Sequence, residues 1–227
     1  EMFYWSGDGE APKKFDPRDD RWVEIWNDVF MNYNKDKDGR LTPLKQKNVD
    51  TGMGFERTAA VLSGKKSAYE TELFQPIIKQ IEELSKSSYK EKIREMRIIA
   101  DHLRAAVFVL GDENAVTPSN VDRGYILRRL IRRAIRYGKL IRIQNYFIAD
   151  IGKVIIKTYR DFYPELDKNK KTIIEELSKE EDKFALTLDK GLRIFEKLSN
   201  ENEIISGADA FLLFQSYGFP IEMTQEL

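Results

Sequence analysis

Val49-Asp50-Thr51-Gly52-Met53-Gly54-Phe55-Glu56-Arg57 runs from a strand-like approach through two glycines into a helix that opens on Glu56-Arg57. Glycines in such a place let a flat or phosphorylated ligand lie against bare backbone. Arg57 falls in the first turn of the helix, where free N–H groups and the dipole already favour an anion. A Gly-x-Gly alone is a weak signal. Gly52-x-Gly54-x-Glu56-Arg57 after a strand is more specific and reads as one wall of a nucleotide site. Asp50, just before the glycines, sets a carboxylate where an ammonium group could meet it; its bland reading is a turn or helix-entry residue.

The segment upstream reads as the partner strand. Trp22 to Tyr33 alternates, with Val23, Ile25, Val29 and Met31 on one face and Asn27 among them. Asn27 is either a buried amide bonded to backbone or an amide offered to a carboxylate or ammonium. Asp36-Lys37-Asp38-Gly39-Arg40 reads as the turn between this strand and the approach from Leu41 to Val49. Asn34 to Gly39 also begins like a calcium loop, but Lys45 stands where the twelfth-position glutamate is needed and Pro43 interrupts, so the turn is expected.

Downstream, Phe55 to Leu62 and Glu72 to Ser85 read as helices. From about Glu91 the pattern becomes all-helical, at roughly 91–110, 121–138, 145–160, 170–199 and 206–217, with Pro118, Gly138, Pro164 and Gly218 as breakers. The expected class is α+β: an antiparallel-sheet part over 1–88, then an all-α domain over 89–227. The charged run Lys168 to Asp182 reads as the solvated face of a helix. His102, the single histidine, reads as a packing residue with Asp101 and Arg104 near it, because no nucleophile or second base accompanies it.

The helix at 121–138 is unusual. Arg128, Arg129, Arg132, Arg133 and Arg136 cluster in nine residues, and no acid occurs from Arg123 to Phe147. Arg129, Arg132, Arg133 and Arg136 share one face at helical spacing, with Leu127, Leu130, Ile131 and Ala134 on the other. Such density suits phosphate, because each guanidinium binds two oxygens at once. The alternative is that the arginines pair with acids on neighbouring helices.

Composition sets bounds. The 227 residues include 38 Lys+Arg and 38 Asp+Glu, so a nucleic-acid surface must be a local patch. The absence of cysteine excludes disulfides and thiolate zinc sites and fits a cytoplasmic setting. One histidine rules out a histidine-rich metal site. No apolar run approaches the ~20 residues of a membrane span. Glu1-Met2-Phe3-Tyr4-Trp5 reads as the middle of a strand, without a signal peptide, which suggests a piece of a longer chain.

Several separated segments together resemble class II aminoacyl-tRNA synthetases and, more narrowly, the alanyl-tRNA synthetase family. They include Glu24 to Met31, Val49 to Arg57 (the family's motif 3), Tyr69 to Phe74, Ile99 to Ala105, Pro118-Ser119-Asn120, Arg123 to Arg129 and Ser216 to Pro220, in the family's order. The resemblance implies an amino-acid–tRNA ligase that joins alanine to ATP as alanyl-adenylate, then passes alanine to its tRNA. It implies that Arg57 contacts ATP phosphate, that Gly52 and Gly54 form the adenosine-side floor, that Asp50 holds the alanine ammonium and that Asn27 orients the amino acid. Gly52 would also border the methyl pocket. Such a pocket cannot firmly exclude glycine or serine, so the family adds a separate editing domain. Mg2+ is expected with ATP, and zinc only in that editing domain. The helical part resembles the family's acceptor-stem recognition domain. There Asn120 matches an asparagine that reads a G·U wobble pair, and the arginine helix, Arg128, Arg129, Arg132, Arg133 and Arg136, would hold phosphates. The family usually has an aspartate where Gln215 stands, and that residue partners the asparagine in reading the wobble pair, so the resemblance places Gln215 at the tRNA as well; it commonly has an asparagine where Ala68 stands. Glutamine can still donate and accept, but without charge.

Motifs 1 and 2 of the family have no counterpart in this sequence, nor do its editing and dimerisation domains. By this reading the chain is a monomeric piece, and residues ~90–227 could serve as a non-catalytic RNA-binding module. By itself the chain is expected not to aminoacylate, because half the ATP site is missing. Pyrophosphate exchange with alanine and ATP above background would refute that.

Overall fold

The computed structural model describes residues 1–144, 146–201, 204–219 and 221–226. It forms two compact units, Glu1–Gln75 and Pro76–Leu227. The first is a small α+β unit and the second is helical among its described residues. Among the described residues no helix is long and apolar enough to cross a membrane.

In the first unit β1 (Met2–Trp5), β2 (Trp22–Lys35) and β3 (Leu41–Met53) form an antiparallel sheet in that order. The expected turn joins β2 and β3. Asp36 accepts from the backbone N–H of Asp38 at 2.9 Å and of Arg40 at 2.8 Å, and Gly39 takes φ +84°. The carboxylate that a calcium loop would aim at the ion is spent on the turn backbone, as in an Asx turn.

β3 runs further than its approach to the glycines suggested, because Asn27 pairs with Gly52 and Trp26 with Met53. A side-chain chain secures that end. Trp26 donates its indole N–H to Thr51 Oγ1, and Thr51 donates to Asp28 at 2.8 Å. The alternation in β2 sets faces correctly, but burial fades along the strand. Residues 22–28 are half-buried, and Val29 is already 47 % exposed. β1 pairs only with the Trp22–Trp26 end. α1 (Phe55–Leu62) follows Gly54, with the bounds expected.

In the second unit α2 (Gln75–Ser85) begins three residues after the expected start, behind a 3-10 turn at Ala68–Glu70. Then come α3 (Ile93–Gly111), α4 (Asp122–Leu140), α5 (Ile148–Tyr159), α6 (Pro164–Lys168), α7 (Lys170–Glu201), α8 (Gly207–Tyr217) and α9 (Ile221–Glu226). The expected start of α5 at 145 lies outside the described residues. Pro164, expected to break a helix, begins one: its fixed φ and missing N–H suit the first helical position.

α7 packs against α3, α4, α5, α6 and α8. Its apolar face, Ile173, Leu177, Phe184 and Leu188, is fully buried, as are Ile99 and Leu103 of α3 and Ile131 of α4. Each such side chain contributes roughly 1.5–3 kcal/mol of burial. The charged run is not simply a solvated face. Its first part is, but Glu180 and Glu181 are 2 % and 3 % exposed. Helical spacing places them on the flank of the apolar stripe, where neighbouring helices supply donors.

Glu181 accepts from the backbone N–H of Phe147 at 3.0 Å and of Ile148 at 3.4 Å, capping the start of α5 across the interface. Burial pushes its carboxyl up to about 7 against the opposing pull of those two N–H groups. A raised acid is one the folded state protonates more readily. Its contribution is therefore present in full below the ordinary value of 4.5 and is lost as pH rises through about 7. We expect Glu181→Gln to remove this dependence, so that the stability gap between the two proteins shifts in the variant's favour by roughly 1–3 kcal/mol from about pH 4.5 to about pH 8. Urea unfolding across that range measures it.

Candidate functional site

The β2–β3 register builds the first group of residues. Asn27 pairs with Gly52 and Val29 with Asp50, so Asn27, Asp50 and Gly52 share one face of the hairpin. Gly52 has an ordinary φ, and a Cβ built on it meets nothing within 4 Å. Neither backbone conformation nor packing requires glycine here, so the bare surface it leaves is its structural consequence. Gly54 differs. It precedes α1, donates its N–H to Ile25 O at 3.0 Å and accepts from Thr58 N–H at 2.8 Å. A Cβ there would lie 3.3 Å from Arg57 Cδ.

Arg57 folds back over that helix start and donates from Nη1 to the Glu24 carbonyl at 3.0 Å. The side chain is exposed, and a guanidinium has five N–H donors, so most remain for an anion. Asn27 makes long contacts from Nδ2 to Glu24 Oε1 at 3.3 Å and Glu1 Oε1 at 3.4 Å. That orientation leaves its carbonyl oxygen, an acceptor suited to an ammonium more than to a carboxylate. Glu24 thus anchors Asn27 through its side chain and Arg57 through its backbone. The resembling segment from Glu24 to Met31 includes it, but its tie to Arg57 is not legible in sequence, because that contact is made by a main-chain atom. Arg57 also lines a cavity of about 350 Å3 with Trp5, Val23, Lys65 and Lys66. Lys66 pairs with Asp8 at 3.1 Å.

The second group lies in the helical unit. Asn120, Tyr125, Arg128, Arg129, Arg132, Phe214, Gln215 and Gly218 line one cleft of about 360 Å3. Asn120, just before α4, and Gln215, on α8, are both exposed.

The arginines do not form one solvent-facing stripe. Arg132 donates from Nε to Glu180 Oε1 at 2.6 Å and from Nη1 to the Gly218 carbonyl at 2.6 Å, and it stacks 4.9 Å from the Phe184 ring. Burial holds its guanidinium below the ordinary value, and Glu180 opposes that. Arg128 Nε lies 3.4 Å from the same Glu180 oxygen, and Arg128 Nη1 donates to Asn120 Oδ1. Arg133 donates to His102 Nε2 at 3.2 Å. An arginine only donates, so Nε2 accepts and the ring proton sits on Nδ1, 3.4 Å from Asp101. That hydrogen bond holds the Asp101 carboxyl below its usual range. His102 is therefore a satisfied packing residue. Arg136 is only 5 % exposed, with its guanidinium 5.3 Å from the Tyr137 ring. Arg136 is thus withdrawn from the phosphate-facing set by burial, and Arg133 does not line the cleft. Residues 128 and 132 face α7 because ion pairing with Glu180 sets their direction. Spacing along one helix cannot show a partner on another.

The family described as tRNA synthetases class II (A) matches residues 4–227, and the chain belongs to that family. Among curated relatives, proteins named alanine–tRNA ligase are similar throughout. That of Borreliella afzelii (strain PKo) is 50 % identical over 212 residues, 91 % of this chain and 36 % of its own length. That of Treponema pallidum (strain Nichols) is 47 % identical over 215 residues, 91 % of this chain and 36 % of its own. The Stenotrophomonas maltophilia (strain K279a) protein is 42 % identical over 232 residues, all of this chain and 26 % of its own. The chain thus spans 26–36 % of the length of these relatives.

Gly218 closes the cleft. It ends α8 at φ +64°, and Gly218 and Phe219 donate back to the Phe214 and Leu213 carbonyls. A Cβ there would lie 2.2 Å from Arg132 Nη1. We expect Gly218→Ala to cost about 1–3 kcal/mol from left-handed strain and displacement of Arg132. Thermal unfolding measures the loss.

Proposed function

We propose that this chain supplies one wall of the alanine and ATP site of an alanine–tRNA ligase, together with the surface that reads the acceptor stem of its tRNA. In the reaction an oxygen of the alanine carboxylate attacks the α-phosphorus of ATP, and the bond to pyrophosphate breaks. A hydroxyl at the 3′ end of the tRNA then attacks the alanyl carbonyl of the adenylate, the acyl–phosphate bond breaks, and AMP leaves. Arg57 stabilises charge on the departing pyrophosphate with the N–H groups left over from its tie to Glu24. Gly52 and Gly54 give the adenosine side a bare floor. Asp50 and the outward carbonyl of Asn27 hold the alanine ammonium, and Gly52 borders the space for its methyl group.

Mg2+ would travel with ATP. No group of three or more His, Cys, Asp or Glu forms a metal cage among the described residues. The phosphates of ATP would supply much of the coordination, as is usual for this ion. Zinc belongs to the separate editing domain of the longer enzyme. Such a ligase would work in the cytoplasm with its tRNA.

In the helical unit Asn120 and Gln215 read the stem and Arg129 lines the approach. Arg128 and Arg132 belong to the supports of the cleft. We treat residues 1–88 as catalytic and 89–227 as RNA-reading. The observation that carries the proposal is the meeting of Asn120 and Gln215 in one exposed cleft beside guanidinium groups. The self-contained geometry of that cleft also suits a second reading, a binding module that holds RNA without chemistry of its own.

Separate changes in the full-length ligase distinguish the two. Arg57→Ala is expected to lower pyrophosphate exchange by about 10²–10³-fold while tRNA affinity stays within about twofold. Asn120→Ala is expected to lower kcat/KM for tRNA by about tenfold or more, with its main effect on the transfer step. If both changes damaged only tRNA binding, the assignment of Arg57 to phosphate would fail.

A further inference from the structure

Glu180 lies beneath the cleft without lining it. It is 2 % exposed, on α7, and its Oε1 meets both Arg132 Nε at 2.6 Å and Arg128 Nε at 3.4 Å. From that one oxygen the two guanidiniums lead to opposite walls. Arg128 donates to Asn120 Oδ1, and its Nη2 reaches the Pro118 carbonyl at 3.5 Å. Arg132 donates to the Gly218 carbonyl at 2.6 Å, at the end of the helix that carries Gln215.

The hydrogen-bond sense follows from chemistry. A guanidinium has donors and no acceptor. Asn120 must therefore turn its carbonyl to Arg128 and its NH2 group away, towards the cleft. The amide offers RNA a donor, and its complement on the base edge or ribose must be an acceptor. Two guanidiniums held side by side repel, and Glu180 is the carboxylate that both share. A buried carboxylate with charged donors around it is strong in geometry and costly to disrupt.

We infer that Glu180 is a positioning residue for RNA discrimination: through Arg128 and Arg132 it fixes which edge of Asn120 faces the cleft and how far Asn120 stands from Gln215. It touches no RNA. The inference rests on the acceptor-stem reading of the cleft and gives Arg128 and Arg132 a role other than phosphate clamping. Removing the charge of Glu180 frees the two guanidiniums to part, and the Asn120 amide then loses its fixed sense.

The test uses the full-length ligase and two acceptor-stem duplexes that differ only in one pair, G·U or G·C. Aminoacylation of each is measured for the wild type, Glu180→Gln, Arg128→Lys and Asn120→Ala, with circular dichroism and thermal midpoints for each protein. Discrimination is the ratio of kcat/KM values, which does not depend on the fraction of protein folded. Glu180→Gln is expected to lower that ratio about tenfold or more, chiefly through kcat, because misorientation of the amide affects commitment of the stem more than its encounter. Arg128→Lys keeps the charge opposite Glu180 but has no planar fork to span Glu180 and Asn120, and it is expected to lower the ratio similarly. If Asn120→Ala abolishes discrimination while Arg128→Lys preserves it, the positioning role is overturned, whether or not Glu180→Gln folds. If Asn120→Ala itself preserves discrimination, the acceptor-stem reading fails and the inference fails with it.

Discussion

One buried carboxylate shared by two guanidiniums organises the helical unit around its cleft. Glu180 on α7 binds Arg132 at 2.6 Å and approaches Arg128 at 3.4 Å. Desolvating these three charges is expensive, and only their mutual attraction with extra hydrogen bonds offsets it. Those extra bonds go outward, to Asn120, Pro118 and Gly218. The same contacts therefore tie the two walls of the cleft, although Arg128 Nε itself is buried with only the ion pair to Glu180 and no hydrogen bond. Leaving either guanidinium without its carboxylate typically costs about 3–5 kcal/mol.

Glu181, the next residue, turns to a different neighbour and caps α5. Adjacent helical positions point about 100° apart, so one acid can serve α4 while its neighbour serves α5. The long helix α7 is in this way both the apolar backbone of the unit and its source of buried acceptors. In the sheet unit a comparable constraint is the β2–β3 register. Pairing Asn27 with Gly52 puts the amide opposite a residue without a side chain and leaves Asp50 on the same face. A slip of one residue would carry Asp50 and Gly52 to the other face. The Trp26–Thr51–Asp28 chain on the reverse face secures the register.

Much of this was legible along the chain. Alternation gave β2, the Asp36–Arg40 turn gave the hairpin, and 3–4 spacing gave α1, α3, α4, α7 and α8 within a few residues. The glycine motif and Arg57 were legible because their local sequence carries the chemistry. The arginine helix was legible as a cluster, but its direction was not. Arg136 is buried and Arg133 turns to His102, since the partners lie on other helices. Glu180 was missed inside a run of charges, because composition cannot distinguish a solvated glutamate from one whose counter-charge is 48 residues away. Glu24 was missed because its carbonyl binds Arg57.

The sequence by itself determined most of the elements, the α+β class, the family resemblance and the residue types from which a site must be built. These depend on short-range periodicity, turn chemistry and local motifs, which a linear pattern records. Tertiary structure alone decided which arginines face the cleft and which edge Asn120 presents. Those outcomes depend on donors and acceptors meeting across helices far apart in the chain. There, desolvation makes every buried charge find a partner, and only the packed structure says which one.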